Sequence, residues 1–379
     1  MLVNMCSAWN VPIRSGKGIL ILNHQGLGNV IMSTPLLRAV SRQRPQHCPI
    51  YVLLASRDHY QLIENEALDI IPLCRRPSYQ GWRGSMKLWF DLRTRIDLVL
   101  APPQTSLDRI TFVKRVLRAR YAAGEVFACE RHLLAFSAEK GWNKSILKSQ
   151  EELAAAMGIL GPLGPPLVTC TTSELQWAST LVDQSGVLTS GFVIGVHCSA
   201  EKAMKRWPAR YFGRTIAELV RRFPGMGVIS FGIPAEQGDE EEARRAAPGT
   251  RWLAGCRAAW NIRQTLALLK SCCLVITGDT GIMHMAAAVG TRTLSIFGPT
   301  STARLAPQYN SGRALCPDTP CHPCYRDTWS TAGFSGGVCP CINLITPERV
   351  TEVAREMLSE RRGGPSFRRQ DPLTGARNG

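Results

Sequence analysis

Residues 272–300 read CCLVITGDTGIMHMAAAVGTRTLSIFGPT, and the hydrophobic pattern of this stretch indicates the fold class. Residues 273–277 form an apolar run with the length of a buried strand, which ends at a glycine and an aspartate. A helical pattern at 281–289 follows, and residues 293–297 form a second short apolar run. A strand, a helix and a strand in this order predict a β-α-β unit with a parallel sheet, as in doubly wound α/β domains.

The same alternation extends toward both ends of the chain. In the second half, further strands and helices are predicted at 192–196, 211–222, 227–231 and 262–269. In the first half, strands are predicted at 18–22, 50–54 and 97–101. A helical pattern follows the first of these strands, and Pro35 should bend that helix or mark an early turn of it, because proline has no amide hydrogen to donate.

A segment rich in Pro and Gly, GPLGPPL at 161–167, interrupts the alternation and cannot form the interior of a helix or strand. We therefore expect two doubly wound, Rossmann-like domains that face each other across a cleft, at 1–165 and 166–358. The remaining segment, 359–379, is basic and rich in Gly and Pro, and we expect it to be a disordered tail.

The composition fits a folded protein with anionic partners. The chain has 379 residues, with 45 Lys and Arg against 29 Asp and Glu, and a net charge of +16. Such a charge favours nucleotides, phosphorylated glycans, phospholipids or nucleic acids. No nucleic-acid-binding motif or aromatic ladder accompanies the basic residues, so nucleic acid is not an expected partner. No apolar run reaches the roughly 18 residues of a spanning helix, and the N-terminus lacks the apolar core of a secretory signal.

Two glycine-containing loops stand between a predicted strand and a predicted helix. The first is Gln25-Gly26-Leu27-Gly28-Asn29, where glycine lets backbone amides approach an anion at a helix N-terminus, although a plain tight turn needs the same residues. The second spans residues 278–284 and places Thr280 and Gly281 where free amides could hold a pyrophosphate. His284 either supports this loop or is a buried histidine on an apolar helix.

Lys205 and Arg206 form a third motif, followed by Trp207 and Pro208. Two adjacent cations suit a diphosphate. A solvated basic turn with Trp207 packed in the core explains the same residues, and the spacing alone does not separate the two interpretations.

Together, these segments resemble one protein family. The stretches VIGVHCSAEKAMKRWPARYF, VISFGIPAEQ and 272–300 resemble the donor domain of the heptosyltransferase family, glycosyltransferase family nine. GILILNHQGLGNVIMSTPLLRAV resembles the acceptor-side motif in the N-terminal domain of that family. The resemblance runs from about residue 18 to residue 358 and is loose between 61 and 166. It implies a GT-B fold, with an acceptor-side domain followed by a nucleotide-sugar donor domain.

The same resemblance implies an inverting transferase that takes a sugar from a nucleotide-diphospho-sugar, usually ADP-heptose, and requires no cofactor for transfer. The implied donor-binding residues are Lys205, Glu236, Asp279, Thr280, Gly281 and His284. Lys205 would hold the phosphate or the sugar, Asp279 would contact the transferred sugar, and Glu236 would lie near the ribose. Cations and helix amides suit the negative charge that builds on a departing diphosphate.

The usual acceptor of the family is the lipopolysaccharide core, a lipid-linked glycan at the cytoplasmic face of the inner membrane. A protein or a non-standard glycan is an alternative acceptor. The resemblance therefore implies a cytoplasmic protein, and the basic surface adds the expectation of peripheral contact with anionic inner-membrane lipids.

One position departs from the family pattern. The N-terminal motif of the family usually ends in an aspartate, taken as the general base, and this chain has Asn29 there. An amide cannot accept the proton of an acceptor hydroxyl at neutral pH. Three explanations stay open: His24 in the same loop is the base, the acceptor's own phosphate is the base, or the chain is a non-catalytic or weakly active sugar-nucleotide- or glycan-binding protein. The catalytic candidates are His24, Asn29 and Asp279.

Five of the 14 cysteines fall in one loop, at 316–341. Four of them, with C-x2-C and C-x-C spacing, are compatible with a tetrahedral zinc or iron site: Cys321, Cys324, Cys339 and Cys341. Reduced thiols in a surface loop are the alternative. Some protein heptosyltransferases hold iron in such a segment, and a metal here is expected to be structural.

Overall fold

The structure is a computed structural model, which describes residues 9–76, 81–141, 143–189, 191–324 and 340–360. Two parallel sheets of six strands each form its framework. The first sheet comprises β1 (Gly18–Asn23), β2 (Ile50–Leu54), β3 (Ile71–Cys74), β4 (Ile96–Leu100), β5 (Tyr121–Val126) and β6 (Phe136–Glu139). Its strand order is β3-β2-β1-β4-β5-β6.

The second sheet has the same topology. It comprises β7 (Val193–His197), β8 (Gly227–Ser230), β9 (Trp252–Ala254), β10 (Val275–Gly278), β11 (Thr293–Ile296) and β12 (Arg313–Leu315). Its strand order is β12-β11-β10-β7-β8-β9. Neighbouring strands of both sheets pair in parallel, which confirms the predicted doubly wound α/β architecture.

Helices connect the strands. Those of the first half are α1 (Leu27–Gln43), α2 (Arg57–Gln61), α3 (Gly81–Leu92), α4 (Leu107–Leu117) and α5 (Ile146–Ala156). Those of the second half are α6 (Thr172–Gln184), α7 (Ala209–Arg222), α8 (Gln237–Arg245), α9 (Gly255–Ala258), α10 (Ile262–Ser271), α11 (Gly281–Ala288), α12 (Thr302–Leu305) and α13 (Pro347–Ser359). Short 3₁₀ turns lie at Ala128–Leu133, Ala203–Lys205, Pro234–Glu236 and Pro340–Leu344. Among the described helices, none combines the length and the apolar character needed to cross a bilayer.

The Pro/Gly-rich segment at 161–167 falls in the connection between α5 and α6. The hydrophobic pattern did not predict five of the strands, which are short or contain Pro, Gly or Glu: β3, β5, β6, β9 and β12. The predicted tail begins too early, because Ser359 still belongs to α13 and Glu360 forms its C-cap. Residues 361–379 lie outside the described part of the chain.

Pro35 lies in the middle of α1 and does not mark an early turn. The carbonyl of Ile31 would normally accept the amide hydrogen that proline lacks. The hydroxyl of Thr34 donates to that carbonyl at 2.8 Å, and Ser33 Oγ donates to the carbonyl of Val30 at 2.8 Å. The Thr34 hydroxyl thus replaces the donor that Pro35 lacks, and the helix continues to Gln43.

A single buried apolar cluster joins the two halves. It includes Val30 of α1 and Met285 of α11, together with residues of both sheets. A buried ion pair adds a polar contact, since Arg304 Nη2 donates to Glu125 Oε2 at 2.5 Å. Helix α1 therefore packs against its own sheet and against α11, which brings the carboxyl ends of β1 and β10 together.

Candidate functional site

Polar side chains converge at the carboxyl ends of three neighbouring strands of the second sheet. Lys205 follows β7, Asp279 directly follows β10, and Thr300 follows β11. Lys205 Nζ donates to Asp279 Oδ2 at 2.6 Å, and Thr300 Oγ1 donates to the same oxygen at 2.7 Å. This edge of a parallel sheet is where α/β domains bind ligands, so the structure places two predicted donor residues in direct contact there.

The carboxylate of Asp279 is held in its ionised form. Burial raises the pKa of Asp279, but the ammonium of Lys205 and the hydrogen bonds from Lys205 and Thr300 outweigh burial and lower the pKa below its usual value. A carboxylate with a lowered pKa is a weak base and a good hydrogen-bond acceptor. Asp279 therefore suits the positioning of Lys205 and of sugar hydroxyls better than the removal of a proton.

A histidine that the sequence analysis missed links Thr280 to Glu236. His197 ends β7, and its Nδ1 lies 3.2 Å from Thr280 Oγ1 while its Nε2 lies 3.4 Å from Glu236 Oε2. Burial raises the pKa of Glu236, but hydrogen bonding and charge from His197 lower the pKa overall. The signal in the sequence was a polar residue at the carboxyl end of a buried strand, where a ligand site lies.

The N-termini of α1 and α11 meet between the sheets. A Cβ built on Gly281 would lie 3.8 Å from the backbone nitrogen of Gly28 and 3.7 Å from Cβ of Leu27. Neither helix has a side chain that caps its first turn, and neither has an acidic residue there. The positive ends of two helix dipoles therefore converge in this gap, which favours an anion.

The side chain of His284 in α11 packs against the first turn of α1. It is 5% exposed, and a Cβ built on Gly28 would lie only 2.7 Å from its Cδ2. Burial lowers the pKa of His284 to about 4, while nearby Asp279 opposes that shift and Lys205 adds to it. The imidazole is therefore neutral at neutral pH, and the structure shows it as a packing contact between the two halves.

Of the two candidates near the end of β1, His24 lies in the loop after the strand and Asn29 lies in the first turn of α1. Asn29 Nδ2 donates to Gln25 Oε1 at 2.6 Å. Nη1 of Arg109 lies 2.9 Å from His24 Nε2, so the guanidinium donates and the proton of the neutral ring is on the buried, unpartnered Nδ1. Burial lowers the pKa of His24, and the charges of Arg109 and Arg75 add to that shift, so that the pKa is about 4. His24 is thus a weaker base than its ordinary pKa predicts.

The same contacts reveal a cationic edge that the sequence analysis missed. Arg75 directly follows β3, and Arg109 lies in the first turn of α4, after β4. Arg109 contacts His24 at 2.9 Å, and the charges of both arginines lower the pKa of His24. A phosphate or carboxylate would be attracted to this edge of the first sheet.

The cysteine loop is described only in part. Cys321 Sγ lies 3.9 Å from Cys341 Sγ, close to the edge of about 3.8 Å in a tetrahedral site with metal–sulfur bonds of about 2.3 Å. Hydrogen bonds from Thr319 and Cys341 lower the pKa of Cys321. Cys339 lies outside the described residues, and within the residues that are described no three His, Cys, Asp or Glu side chains form a metal-ligand group. Metal binding by Cys321, Cys324, Cys339 and Cys341 therefore stays a prediction.

The segments at both ends of the cysteine loop contact the second half of the chain near Lys205, Asp279 and Thr300. His322 Nε2 lies 3.0 Å from the carbonyl of Thr300, whose hydroxyl binds Asp279. The buried Trp207 donates from Nε1 to the carbonyl of Ile345 at 2.8 Å. In the basic motif, Trp207 packs in the core, as the interpretation of the motif as a basic turn requires, and Lys205 contacts Asp279, as expected for a ligand site.

Gly28→Ala should destabilise the protein, because the added Cβ would lie 2.7 Å from the buried ring of His284. The expected loss is about 1–3 kcal/mol in the free energy of unfolding, measured by urea denaturation. Gly26→Ala is the matched control, since no atom of the described residues lies within 4 Å of a Cβ at that position, and it should cost less than about 1 kcal/mol. Equal losses in the two variants would contradict the close approach of the helices.

The pKa of His284 makes stability depend on pH. The folded protein protonates this ring only near pH 4, whereas the unfolded chain does so near 6.5. The unfolded state therefore binds more protons between these values, and the free energy of unfolding should decrease as the pH falls through that window. His284→Gln should remove up to about 3 kcal/mol of this decrease, measured by urea denaturation at pH 7, 5.5 and 4.5. His132→Gln, at an exposed histidine, should leave the decrease in the free energy of unfolding unchanged. If His284→Gln showed the same decrease as the wild type, His284 would not be its cause.

Comparison with known proteins identifies related sequences. A family model described as glycosyltransferase family 9 (heptosyltransferase) matches residues 132–333. Lipooligosaccharide heptosyltransferase 2 of Haemophilus influenzae is 26% identical over 309 residues, which covers 77% of this chain and 84% of that protein.

Two solved structures share the fold. The family 9 glycosyltransferase of Veillonella parvula has a TM-score of 0.74 and 18% identity, over 93% of this chain and 100% of its own. ADP-heptose LPS heptosyltransferase II of Escherichia coli has a TM-score of 0.65 and 21% identity, over 91% of this chain and 99% of its own. The predicted GT-B fold and the predicted enzyme class, a glycosyltransferase, are confirmed. Because the family model matches more than half of the chain, the protein belongs to glycosyltransferase family 9, the heptosyltransferase family.

Proposed function

We propose that this chain is an inverting transferase that moves heptose from ADP-heptose to a lipopolysaccharide core or a related acceptor. The observation that carries the proposal is the Lys205–Asp279–Thr300 cluster beside the uncapped start of α11 at Thr280 and Gly281. A cation and helix amides at the carboxyl ends of parallel strands suit a diphosphate. The E. coli protein of similar fold is named for ADP-heptose and lipopolysaccharide, which supports this choice of donor and acceptor.

In the proposed reaction, an acceptor hydroxyl attacks the anomeric carbon of the heptose on the face opposite the diphosphate. The bond between that carbon and the diphosphate oxygen breaks, and ADP leaves with the electron pair. Lys205 and the first amides of α11 stabilise the charge that builds on the leaving group. Asp279 orients Lys205 and accepts hydrogen bonds from the sugar, and Glu236, beside His197, binds the ribose. With this positive charge in place, the proposed transfer requires no metal ion.

The acceptor proton needs a destination, because Asn29 replaces a carboxylate base. His24 is a weak base, with a pKa of about 4 and an Nε2 that accepts from Arg109. We therefore propose that the acceptor is anionic next to its reactive hydroxyl and that this phosphate or carboxylate takes the proton. Arg75 and Arg109 would hold the anionic group close to Asn29.

A non-catalytic protein that binds a sugar nucleotide or a glycan is the second candidate. The observation that favours it is Asn29, which places an amide where the family has a base. Its Nδ2 donates to Gln25 Oε1. The two candidates share the donor site and differ in turnover. Transfer to an acceptor therefore separates them, whereas nucleotide binding does not.

ADP should raise the melting temperature of the protein more than UDP or GDP does, measured by thermal shift. Lys205→Met should weaken ADP binding by about 10-fold or more, because a charge-assisted contact to phosphate is lost. This variant also leaves Asp279 buried without its cation, so each ADP-induced shift is compared with the ligand-free melting temperature of the same variant. Lys148→Met, which removes an exposed lysine on α5, is the matched control and should bind ADP as the wild type does. A wild-type protein that no nucleotide stabilises would contradict the donor site.

Asn29→Asp tests the source of the base. If the acceptor supplies it, a carboxylate at position 29 repels the anionic acceptor, so KM for the acceptor should increase about tenfold without a gain in kcat. A rise in kcat by about 100-fold would instead show that a base was missing and would overturn the substrate-supplied base. Asn143→Asp, at an exposed asparagine outside the site, controls for the added charge. ADP binding without wild-type turnover would favour the non-catalytic candidate.

A further inference from the structure

Helices α3 and α4 expose an unusual concentration of large apolar side chains. In the part of the chain that the structure describes, twelve such side chains are exposed, and five of them lie on these two helices: Trp82, Met86, Phe90, Phe112 and Val116. The spacing of four residues within each helix places these side chains on one side of it. We call this surface, defined by the five residues, the α3–α4 face.

The two helices contact each other directly. Trp89 Nε1 on α3 donates to the carbonyl of Val116 on α4 at 3.0 Å. Other residues of the same helices, including Trp89 and Val113, pack against a buried cluster of the first sheet. Each helix is therefore already anchored by a separate apolar side. The five exposed apolar side chains do not contribute to that packing.

Basic residues surround the exposed aromatic side chains. Between residues 81 and 120 the chain has nine Lys and Arg against three Asp and Glu, and one of the three, Asp97, is buried in an ion pair with Arg14. The guanidinium of Arg83 lies 5.4 Å from the ring centroid of Trp82, and that of Arg93 lies 4.9 Å from the ring centroid of Phe90. Exposed aromatic side chains beside arginines are typical of helices that lie in the headgroup region of a membrane.

We propose that the α3–α4 face docks on a bilayer that contains anionic phospholipids. Trp82, Phe90 and Phe112 enter the headgroup region, and the surrounding arginines contact lipid phosphates. The positive charge opposes other occupants. A second copy of the chain would present the same charge, and the segment 361–379 has five arginines and one aspartate.

Docking of this face would orient the acceptor side of the enzyme. Arg109 lies in the first turn of α4, 2.9 Å from His24, and Phe112 is one turn further along the same helix. The membrane-facing side chains thus begin one turn from the edge where an anionic acceptor is proposed to bind. A lipid-linked acceptor would reach that edge without leaving its bilayer. Vesicle binding needs no sugar transfer, so this proposal stands or fails independently of the proposed function.

The test is sedimentation of the full chain with vesicles of phosphatidylcholine, either alone or mixed with phosphatidylglycerol. The wild type should bind the mixed vesicles and bind phosphatidylcholine alone at least about tenfold more weakly. The triple variant Trp82→Ser/Phe90→Ser/Phe112→Ser should lose about tenfold or more in partitioning to the mixed vesicles. The matched control, Leu133→Ser/Leu160→Ser/Leu344→Ser, removes apolar side chains that are 45%, 46% and 59% exposed and should partition as the wild type does.

A second variant isolates the charge. Arg83→Gln/Arg93→Gln/Arg115→Gln should reduce binding to the mixed vesicles and leave the weak binding to phosphatidylcholine unchanged. The aromatic and the arginine triple variants should both melt at the wild-type temperature, which would show that their fold is intact. Undiminished partitioning of the aromatic variant would overturn the proposal, as would equal binding of the wild type to both vesicles. A wild-type dimer that the aromatic variant converts to a monomer, without vesicle binding, would assign the face to a second copy.

Discussion

The contact between Gly28 and the ring of His284 sets the distance between the two halves of the protein. Because position 28 has no side chain, the first turn of α1 lies directly against α11, and two uncapped helix ends face the same gap. Asn29 follows Gly28 in the chain, so the departure from the family's base lies next to the loop that is proposed to hold the diphosphate. The proposed donor and acceptor groups lie near each other because of this close approach and of the apolar cluster that the two halves share.

The positive charge near the gap comes from arginine side chains and helix ends rather than from histidines. His24 and His284 are both held neutral, with pKa values of about 4, and burial is the main cause in each case. The helix dipoles contribute from the second sheet, where the charge of Lys205 is paired with Asp279, while Arg75 and Arg109 contribute from the first. The negative charges of a diphosphate and of an anionic acceptor would therefore both be attracted by this positive electrostatic potential. Binding of one ligand would then affect binding of the other.

Local patterns explain which parts of this arrangement the sequence could predict. The strands at 273–277 and 293–297 and the helix between them follow from hydrophobic periodicity, and Lys205 and Asp279 follow from motifs beside them. Thr300 and Arg109 join the site because the order of the strands brings distant loops together, which no local pattern encodes, whereas His197 at the end of β7 could have been found from its position. The pKa of His24 likewise depends on Arg109, which is 85 residues away in the chain. Pro35 remained in the helix because the hydroxyl of Thr34 compensated for its missing amide, a contact that the pattern alone did not reveal.

The apolar cluster that joins the halves also constrains how the protein is made on the ribosome. Val30 of α1 packs in the same cluster as Met285, and about 250 residues separate them. At about 5–20 residues per second, on the order of 10 to 50 s pass before α11 is synthesised and can cover the side of α1 that packs against it. During that interval, the nascent first half exposes apolar surface that the finished protein buries. A chaperone that shields this helix until the second half emerges would therefore increase the yield of native protein.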